Sequence, residues 1–151
     1  MNVEKALLDA GYRLPPLPGA GGNYVPAKTV GKLVYLSGVI SSDNNGVITG
    51  RAGEDCGVEE GYAAARACVL SHLAVLRQHL GSLDTVKSIV SINGYVNAVP
   101  GFPDSPQIIN GASDLLVKVF GEAGKHVRTA IGVSALQRNA LVELQMVVEI
   151  E

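Results

Sequence analysis

Two segments near the end of the chain decide the fold: GKHVRTAIGV (residues 124–133) and LVELQMVVEI (residues 141–150). Apolar and polar residues alternate along the second segment, and in the first segment small residues flank Arg128 on its own strand face. This period of two is typical of β-strands that bury one face. The seven residues between the segments can join them as antiparallel neighbours. That pairing would place Arg128 and Glu143 on the same face of one sheet, with open space above them.

Upstream of these strands, helical periodicity predicts two long helices. Apolar residues recur every three or four positions over residues 58–80 and again over residues 104–121. An alternating segment at residues 86–99 predicts a strand between the two helices, and residues 23–27 and 32–37 predict a hairpin near the N-terminus. The order of elements predicts an α+β fold with a single mixed or antiparallel sheet that carries two helices on one face.

The N-terminal region, residues 1–22, predicts a short helix followed by an extended arm, LPPLPGAGG (residues 14–22). A chain of 151 residues is expected to form one domain over residues 1–151. Hydrophobic residues make up 47% of the chain, charged residues make up 17%, and the mean hydropathy is positive. This balance predicts that some apolar surface is buried between subunits. Because two helices can cover only one face of the sheet, we expect the other face to meet other copies of the chain in a closed ring.

Composition argues against several functional classes. The formal net charge is −2 and no basic block is present, so no nucleic acid partner is expected. The sequence has no run of 18 apolar residues, so no membrane partner is expected. The N-terminus lacks the layout of a secretion signal, and Cys56 and Cys68 form no metal or redox motif, which predicts a cytoplasmic protein with reduced thiols. His72 and His79 lack a third ligand, so no metal site is predicted.

Arg128 and Glu143 are the first candidates for chemistry. A guanidinium can hold a carboxylate through two parallel hydrogen bonds, so Arg128 could anchor an acidic ligand. Glu143 could orient or deprotonate a water molecule that attacks a C=N carbon. The alternative is that the two residues form an ion pair that only fixes the strand register or the oligomer.

Five further positions are candidates for binding. Tyr24 could close over a ligand, or it could be an aromatic residue of an interface. Asn110 could cap a helix or orient the site through its amide. Ser37 and Gly38 could let the backbone approach the site, and no His–acid pair is placed to make Ser37 a nucleophile. His126 could be a further acid, base or ligand donor on the face of the arginine, or a histidine at a loop edge.

Together these segments resemble the Rid (YjgF) family, which shares its fold with a bacterial chorismate mutase. The segments that carry the resemblance are NYVPA (23–27), LSG (36–38), NGASDLL (110–116) and FGEAGKHVR (120–128). Arg128 matches the arginine of the family, and Glu143 matches its late glutamate. The two longer segments and the Pro-rich arm are similar to a longer-chained subgroup.

The resemblance implies a chorismate-mutase-like fold and a homotrimer with three clefts between subunits, where Arg128 would hold the carboxylate of a small metabolite. In the deaminase members, an enamine or imine derived from serine or threonine is hydrolysed to a 2-keto acid and ammonia without a metal or cofactor. Two other hypotheses stay open: a non-catalytic, regulatory module that binds small carboxylates such as 2-keto acids, and an endoribonuclease, an activity ascribed to some relatives.

The chain departs from the pattern of the deaminases at several positions. Val39 follows the Ser-Gly signature where those members usually have Gln. Ala130 stands where many have a Cys near the water, so the resemblance makes Ala130 a further candidate binding residue. Gln137 replaces the usual proline, and KHV (125–127) replaces Pro-Ala before the arginine. The carboxylate anchor is therefore retained, whereas the groups expected to handle water are altered.

Overall fold

The computed structural model describes residues 2–151, and it consists of one six-stranded sheet, a small hairpin and three α-helices. The strands are β1 Ala27–Val30, β2 Leu33–Leu36, β3 Val39–Ile40, β4 Ser42–Asp43, β5 Gly46–Val47, β6 Val86–Asn97, β7 Val127–Val133 and β8 Val142–Ile150. The helices are α1 Val3–Asp9, α2 Val58–Leu80 and α3 Ser105–Phe120. Within residues 2–151, no helix is long and apolar enough to cross a membrane.

The sheet is mixed and mostly antiparallel, as predicted. Its strands follow the order β1-β2-β8-β6-β7, with β3 also paired to β8, while β4 and β5 form the separate hairpin. Every pairing is antiparallel except that of β6 with β7, which is parallel. The predicted neighbours β7 and β8 therefore do not touch, because β6 lies between them.

The physical reason for this correction is the connection from β6 through α3 to β7. A strand, a helix and a second strand in the same sheet form a crossover unit, which requires the two strands to be parallel. The seven residues that we expected to form a hairpin instead pass around the end of β6. There the backbone N–H of Asn97 donates to the carbonyl of Leu141 at 2.9 Å, and the backbone N–H of Ala98 donates to the carbonyl of Val133 at 3.1 Å.

The two long helices lie on one face of the sheet and pack closely on each other. α2 ends where predicted, because Gly81 adopts a positive φ of 84° and its amide donates to the carbonyl of Arg77. A Cβ atom on Gly111 of α3 would collide with the backbone carbonyl of Tyr62 on α2. Only glycine therefore allows the backbones of the two helices to come this close.

The core lies between the helices and the sheet, and the opposite face of the sheet is left open in the single chain. Alternate residues of β6 and β8, such as Ile92 and Leu144, are fully buried under the helices. On the opposite face, Tyr35 and Ile131 remain 46% and 45% exposed. The first strand begins at Ala27 rather than at residue 23, because Pro26 before it lacks an N–H and cannot donate to a strand ladder.

Candidate functional site

A cleft of about 580 Å³ lies between the N-terminal arm and the ends of β2 and β8, and we call it the arm cleft. It brings together four of the predicted site residues, Tyr24, Ser37, Gly38 and Glu143. The arm contributes residues 18–21 to its wall, so the Pro- and Gly-rich segment forms part of the candidate site.

Ser37 holds the turn at the base of the arm cleft. Its amide donates to the carbonyl of Pro26 at 2.9 Å, and its hydroxyl donates to the carbonyl of Val25 at 2.6 Å. Its own carbonyl accepts a hydrogen bond from Nε2 of His72 at 2.9 Å. His72 is completely buried on α2, and this burial lowers its pKa to about 4. The hydroxyl of Ser37 therefore holds the backbone at the base of the cleft.

Gly38 lies directly against the carboxylate of Glu143. A Cβ atom at residue 38 would stand 2.6 Å from Oε2 of Glu143, which is closer than real Cβ contacts come. Ile40 pairs with Glu143 across β3 and β8, and this pairing brings the nearby Gly38 against the Glu143 carboxylate. The absence of a side chain at Gly38 thus gives the carboxylate its place in the cleft.

Tyr24 fastens the arm over the cleft. Its hydroxyl accepts a hydrogen bond from the amide of Gly21 at 2.9 Å, and the side chain remains 48% exposed. A Cβ atom on Gly21 would come within 3.0 Å of Nε2 of Gln137, so the arm also approaches the loop before β8. Tyr24, the arm and this loop together form one wall of the cleft.

Arg138, which the sequence analysis did not select, also lines the arm cleft. Arg138 and Asn139 both adopt the left-handed conformation, with φ of 56° and 55°. This conformation costs Arg138 about 1–2 kcal/mol and Asn139 less, because Asn tolerates it better. The buried side-chain amide of Asn97 donates from Nδ2 to Oδ1 of Asn139 at 3.1 Å and to the carbonyl of Ala140 at 3.2 Å, and these bonds stabilise the turn. The available signal was an Arg–Asn pair in a loop next to a strand carrying a candidate residue, since loops often carry functional side chains.

Arg128 lies elsewhere, at the β7 edge of the sheet and on the helix-covered face. In the strand register Arg128 pairs with Ile92, whereas Glu143 pairs with Tyr95. Ile92 and Tyr95 are three residues apart on β6 and so face opposite sides of the sheet. The prediction that Arg128 and Glu143 share one face of a single sheet is therefore wrong, and so is the alternative of an ion pair between them within one chain.

The guanidinium of Arg128 is held by neutral groups of α3. Nη1 donates to the hydroxyl of Ser113 at 3.1 Å, and Nη2 donates to the carbonyl of Pro106 at 3.2 Å. No carboxylate within residues 2–151 lies at ion-pair distance from Arg128. The side chain is exposed, and the N–H groups that these two bonds do not use remain for a ligand.

His126 joins the same group of residues, which we call the β7 cluster: Arg128, Ser113 and His126. His126 lies just before β7, with Nδ1 at 2.6 Å from the carbonyl of Gly124 and Nε2 at 2.8 Å from the hydroxyl of Ser113. The position of His126 beside Arg128 was predicted from the sequence, whereas the role of Ser113 was not. That link joins residues 13 positions apart, and only the return of the chain from α3 to β7 brings them together.

Asn110 and Ala130 flank the β7 cluster. Asn110 lies inside α3, four residues after Pro106 and three before Ser113, so it shares their face of the helix. The position that would cap α3 is occupied by Asp104, so the expectation that Asn110 caps a helix is wrong. Ala130 pairs with Gly94 and packs against the core, on the same strand face as Arg128. Residues 2–151 contain no cluster of three or more His, Cys, Asp or Glu side chains that could hold a metal ion.

Comparison with known proteins decides the family. The family described as "YjgF/chorismate mutase-like, putative endoribonuclease" matches residues 4–150. The chain belongs to this family, also called Rid. Its similarity extends to a Trypanosoma cruzi protein named TCP17, which is 41% identical over 151 residues, covering 99% of this chain and 94% of the relative.

Several solved structures are similar to this chain and share its fold. A protein of unknown function from Agrobacterium tumefaciens is 36% identical with a TM-score of 0.92, covering 99% of this chain and 92% of its own. A Shewanella oneidensis protein named a "putative endoribonuclease" is 34% identical with a TM-score of 0.95. The match covers 99% of this chain and 100% of the Shewanella chain. RidA from an Antarctic Psychrobacter species is 25% identical with a TM-score of 0.61. The match covers 89% of this chain and 94% of the RidA chain.

Proposed function

We propose that this chain is a cofactor-free deaminase that hydrolyses small enamines and 2-imino acids to 2-keto acids and ammonia. The observation that carries the proposal is the state of Arg128: its guanidinium is oriented by a hydroxyl and a carbonyl, neither of which neutralises its charge. An exposed arginine with unused N–H groups is suited to a ligand carboxylate. Glu143, fixed against Gly38 in the arm cleft, supplies the acceptor that would orient the attacking water.

The proposed reaction requires a second copy of the chain. Arg128 and Glu143 lie on opposite faces of the sheet with β6 between them, so one chain cannot present both to one substrate. In the proposed homotrimer, the β7 cluster of one copy faces the arm cleft of the next. Exposed apolar residues on the open sheet face, such as Ile131 and Tyr35, favour such an assembly.

Formation of 2-keto acid from freshly generated 2-aminoacrylate tests the activity. We expect Arg128→Ala to abolish turnover and Arg128→Lys to restore little of it, because an ammonium cannot form the two parallel bonds. Arg77→Ala is the matched control, since Arg77 is an exposed arginine on α2 that pairs only weakly with Glu4 at 3.8 Å. Equal rates for the wild type and Arg128→Ala would end the deaminase proposal.

Mixing two inactive variants tests the shared site. Arg128→Ala and Glu143→Gln oligomers, dissociated and reassembled together, should regain part of the activity, because some hybrid interfaces then carry both intact residues. No recovery from hybrids whose formation is verified would contradict a site shared between copies.

A second candidate function is a regulatory module that binds a small carboxylate without turnover. Ala130 favours it, because this side chain supplies no group that could handle a proton. This function predicts saturable binding of pyruvate by calorimetry, lost in Arg128→Ala, together with no keto acid formation. Cleavage of RNA, suggested by the names of relatives, is disfavoured by the net charge of −2. Salt-sensitive RNA binding and cleavage by the purified chain would reverse that order.

A further inference from the structure

The β7 cluster contains a hydroxyl–imidazole pair whose proton positions follow from its contacts. A carbonyl oxygen can only accept, so Nδ1 of His126, at 2.6 Å from the carbonyl of Gly124, carries a hydrogen. In the neutral imidazole, Nε2 is then the acceptor. The hydroxyl of Ser113, at 2.8 Å, therefore donates its hydrogen to Nε2. A hydroxyl in this arrangement is prepared to transfer its proton to the ring.

Arg128 completes the environment of the Ser113 oxygen. The oxygen gives its hydrogen to His126 and accepts one hydrogen bond from Nη1 of Arg128 at 3.1 Å. A hydroxyl oxygen has two lone pairs, so one remains free to accept a hydrogen from a water molecule. The adjacent guanidinium stabilises negative charge that develops on the oxygen during proton transfer.

We propose that Ser113 and His126 form a proton relay that serves the hydrolysis of small 2-imino acids and enamines held by Arg128. This inference rests on the proposed deaminase function and names the groups that handle protons there. The side chain of Ala130, on the same strand face as Arg128, cannot carry a proton. The relay places an acid–base group beside the carboxylate anchor, where a ligand's C=N carbon would lie close to its carboxylate.

The steps of the relay balance for the iminium form of the substrate. A water molecule oriented by Glu143 of the neighbouring copy gives a proton to the Ser113 oxygen while the Ser113 hydrogen passes to Nε2 of His126, and the hydroxide attacks the iminium carbon. A C–O bond forms, and the electron pair of the C=N π bond moves to nitrogen, which gives a neutral carbinolamine. The proton then returns through Ser113 to the amine, the C–N bond breaks, and ammonia leaves with the electron pair. Loss of the remaining hydroxyl proton yields the 2-keto acid and an ammonium ion.

The chain provides its own control pair. The hydroxyl of Thr29 on β1 lies 2.7 Å from Nε2 of His79 on α2, which is again a hydroxyl–imidazole contact. β1 and β7 are the opposite edges of the sheet, and Arg128 does not contact Thr29 or His79. His79→Gln and Thr29→Ala therefore reproduce the same chemical losses away from the carboxylate anchor.

Steady-state formation of 2-keto acid from 2-aminoacrylate tests the relay. Ser113→Ala and His126→Gln should each lower kcat by about a hundredfold or more, the usual contribution of a positioned acid–base group. The Kd for pyruvate by calorimetry should change by less than about tenfold, because only one hydrogen bond to Arg128 is lost. Ser113→Thr should retain most of the turnover, and the Thr29 and His79 variants should match the wild type.

Chemical rescue separates a proton-transfer role from a structural one. Added imidazole should raise the turnover of His126→Gly and leave that of Ser113→Ala unchanged. If Ser113→Ala and His126→Gln keep wild-type kcat while Arg128→Ala loses activity, the relay is overturned and the deaminase proposal stands. Absence of rescue in folded His126→Gly overturns the role of His126. Absence of turnover by the wild type overturns both proposals.

Discussion

Acidification should destabilise this protein through His72, the buried imidazole beneath the arm cleft. Nε2 of His72 donates to the carbonyl of Ser37 at 2.9 Å, and Nδ1 is buried without a hydrogen-bond partner in the described chain. A second proton would have to bind at Nδ1, which is buried from solvent and has no acceptor within reach in the described chain. Burial lowers the pKa of His72 from its ordinary 6.5 to about 4, and the hydrogen bond to Ser37 opposes this only in part.

The size of the effect follows from linkage. Between pH 6.5 and about 4 the unfolded chain binds a proton at His72 that the folded chain does not. The free energy of unfolding therefore falls as the pH falls through this window, and the contribution is fully lost below about pH 4. A pKa that moves from 6.5 to about 4 corresponds to about 3 kcal/mol. This is a substantial fraction of the stability of a typical domain.

Urea unfolding followed by circular dichroism, across this pH window, measures the effect. His72→Gln is the reference, because its amide N–H can still donate to Ser37 and its side chain does not titrate. Carboxylates titrate alike in both proteins, so the difference between the two unfolding free energies isolates His72. We expect the wild type to lose about 3 kcal/mol relative to the variant on acidification. A difference that stays constant, or an NMR titration midpoint of His72 near 6.5, would refute the reasoning.

Two further substitutions test how the arm cleft is held. Gly38→Ala should displace the carboxylate of Glu143 and lower turnover at least tenfold, while the free energy of unfolding falls by less than about 1 kcal/mol because a flexible side chain can move aside. Gly57→Ala, whose Cβ would meet only ordinary contacts, is the control, and an unchanged Gly38→Ala rate would contradict the assignment. Asn97→Ala should lower the free energy of unfolding by about 2–3 kcal/mol, because it leaves buried carbonyl groups without donors. It should also weaken any ligand contact made by Arg138, and urea unfolding together with pyruvate calorimetry would show both losses.

The sequence predicted the helices well because their signals are local. The apolar periodicity of α2 and the glycine after it define a helix whose ends need no knowledge of the rest of the chain. The family resemblance likewise rested on contiguous segments such as FGEAGKHVR. The approximate positions of Tyr24, Ser37 and Gly38 could also be predicted, because these three residues flank one predicted hairpin near the N-terminus.

The pairing of strands depends on distant parts of the chain, so the predicted pairing of β7 with β8 was wrong. A loop of seven residues permits a hairpin between β7 and β8, but the helix between β6 and β7 requires a parallel crossover that fills this place. The same crossover brings Ser113 to His126, so that contact could not be found from spacing. Arg138 was missed because its position depends on a left-handed turn held by Asn97, which lies 42 residues from Asn139 in sequence.

The arrangement of the sheet sets a physical condition on any chemistry that uses both groups of residues. β7 is an edge strand whose seven residues include Val127 and Ile131 with 71% and 45% exposure, and such an edge normally requires cover. If Arg128 and Glu143 serve one reaction, only a neighbouring copy can bring them together, because β6 holds them on opposite faces. Turnover should then fall on dilution as the assembly dissociates, whereas binding of a carboxylate by Arg128 alone should persist in the separated chain. A rate per chain that is independent of concentration, in a protein shown by light scattering to be monomeric, would require that the two groups act separately.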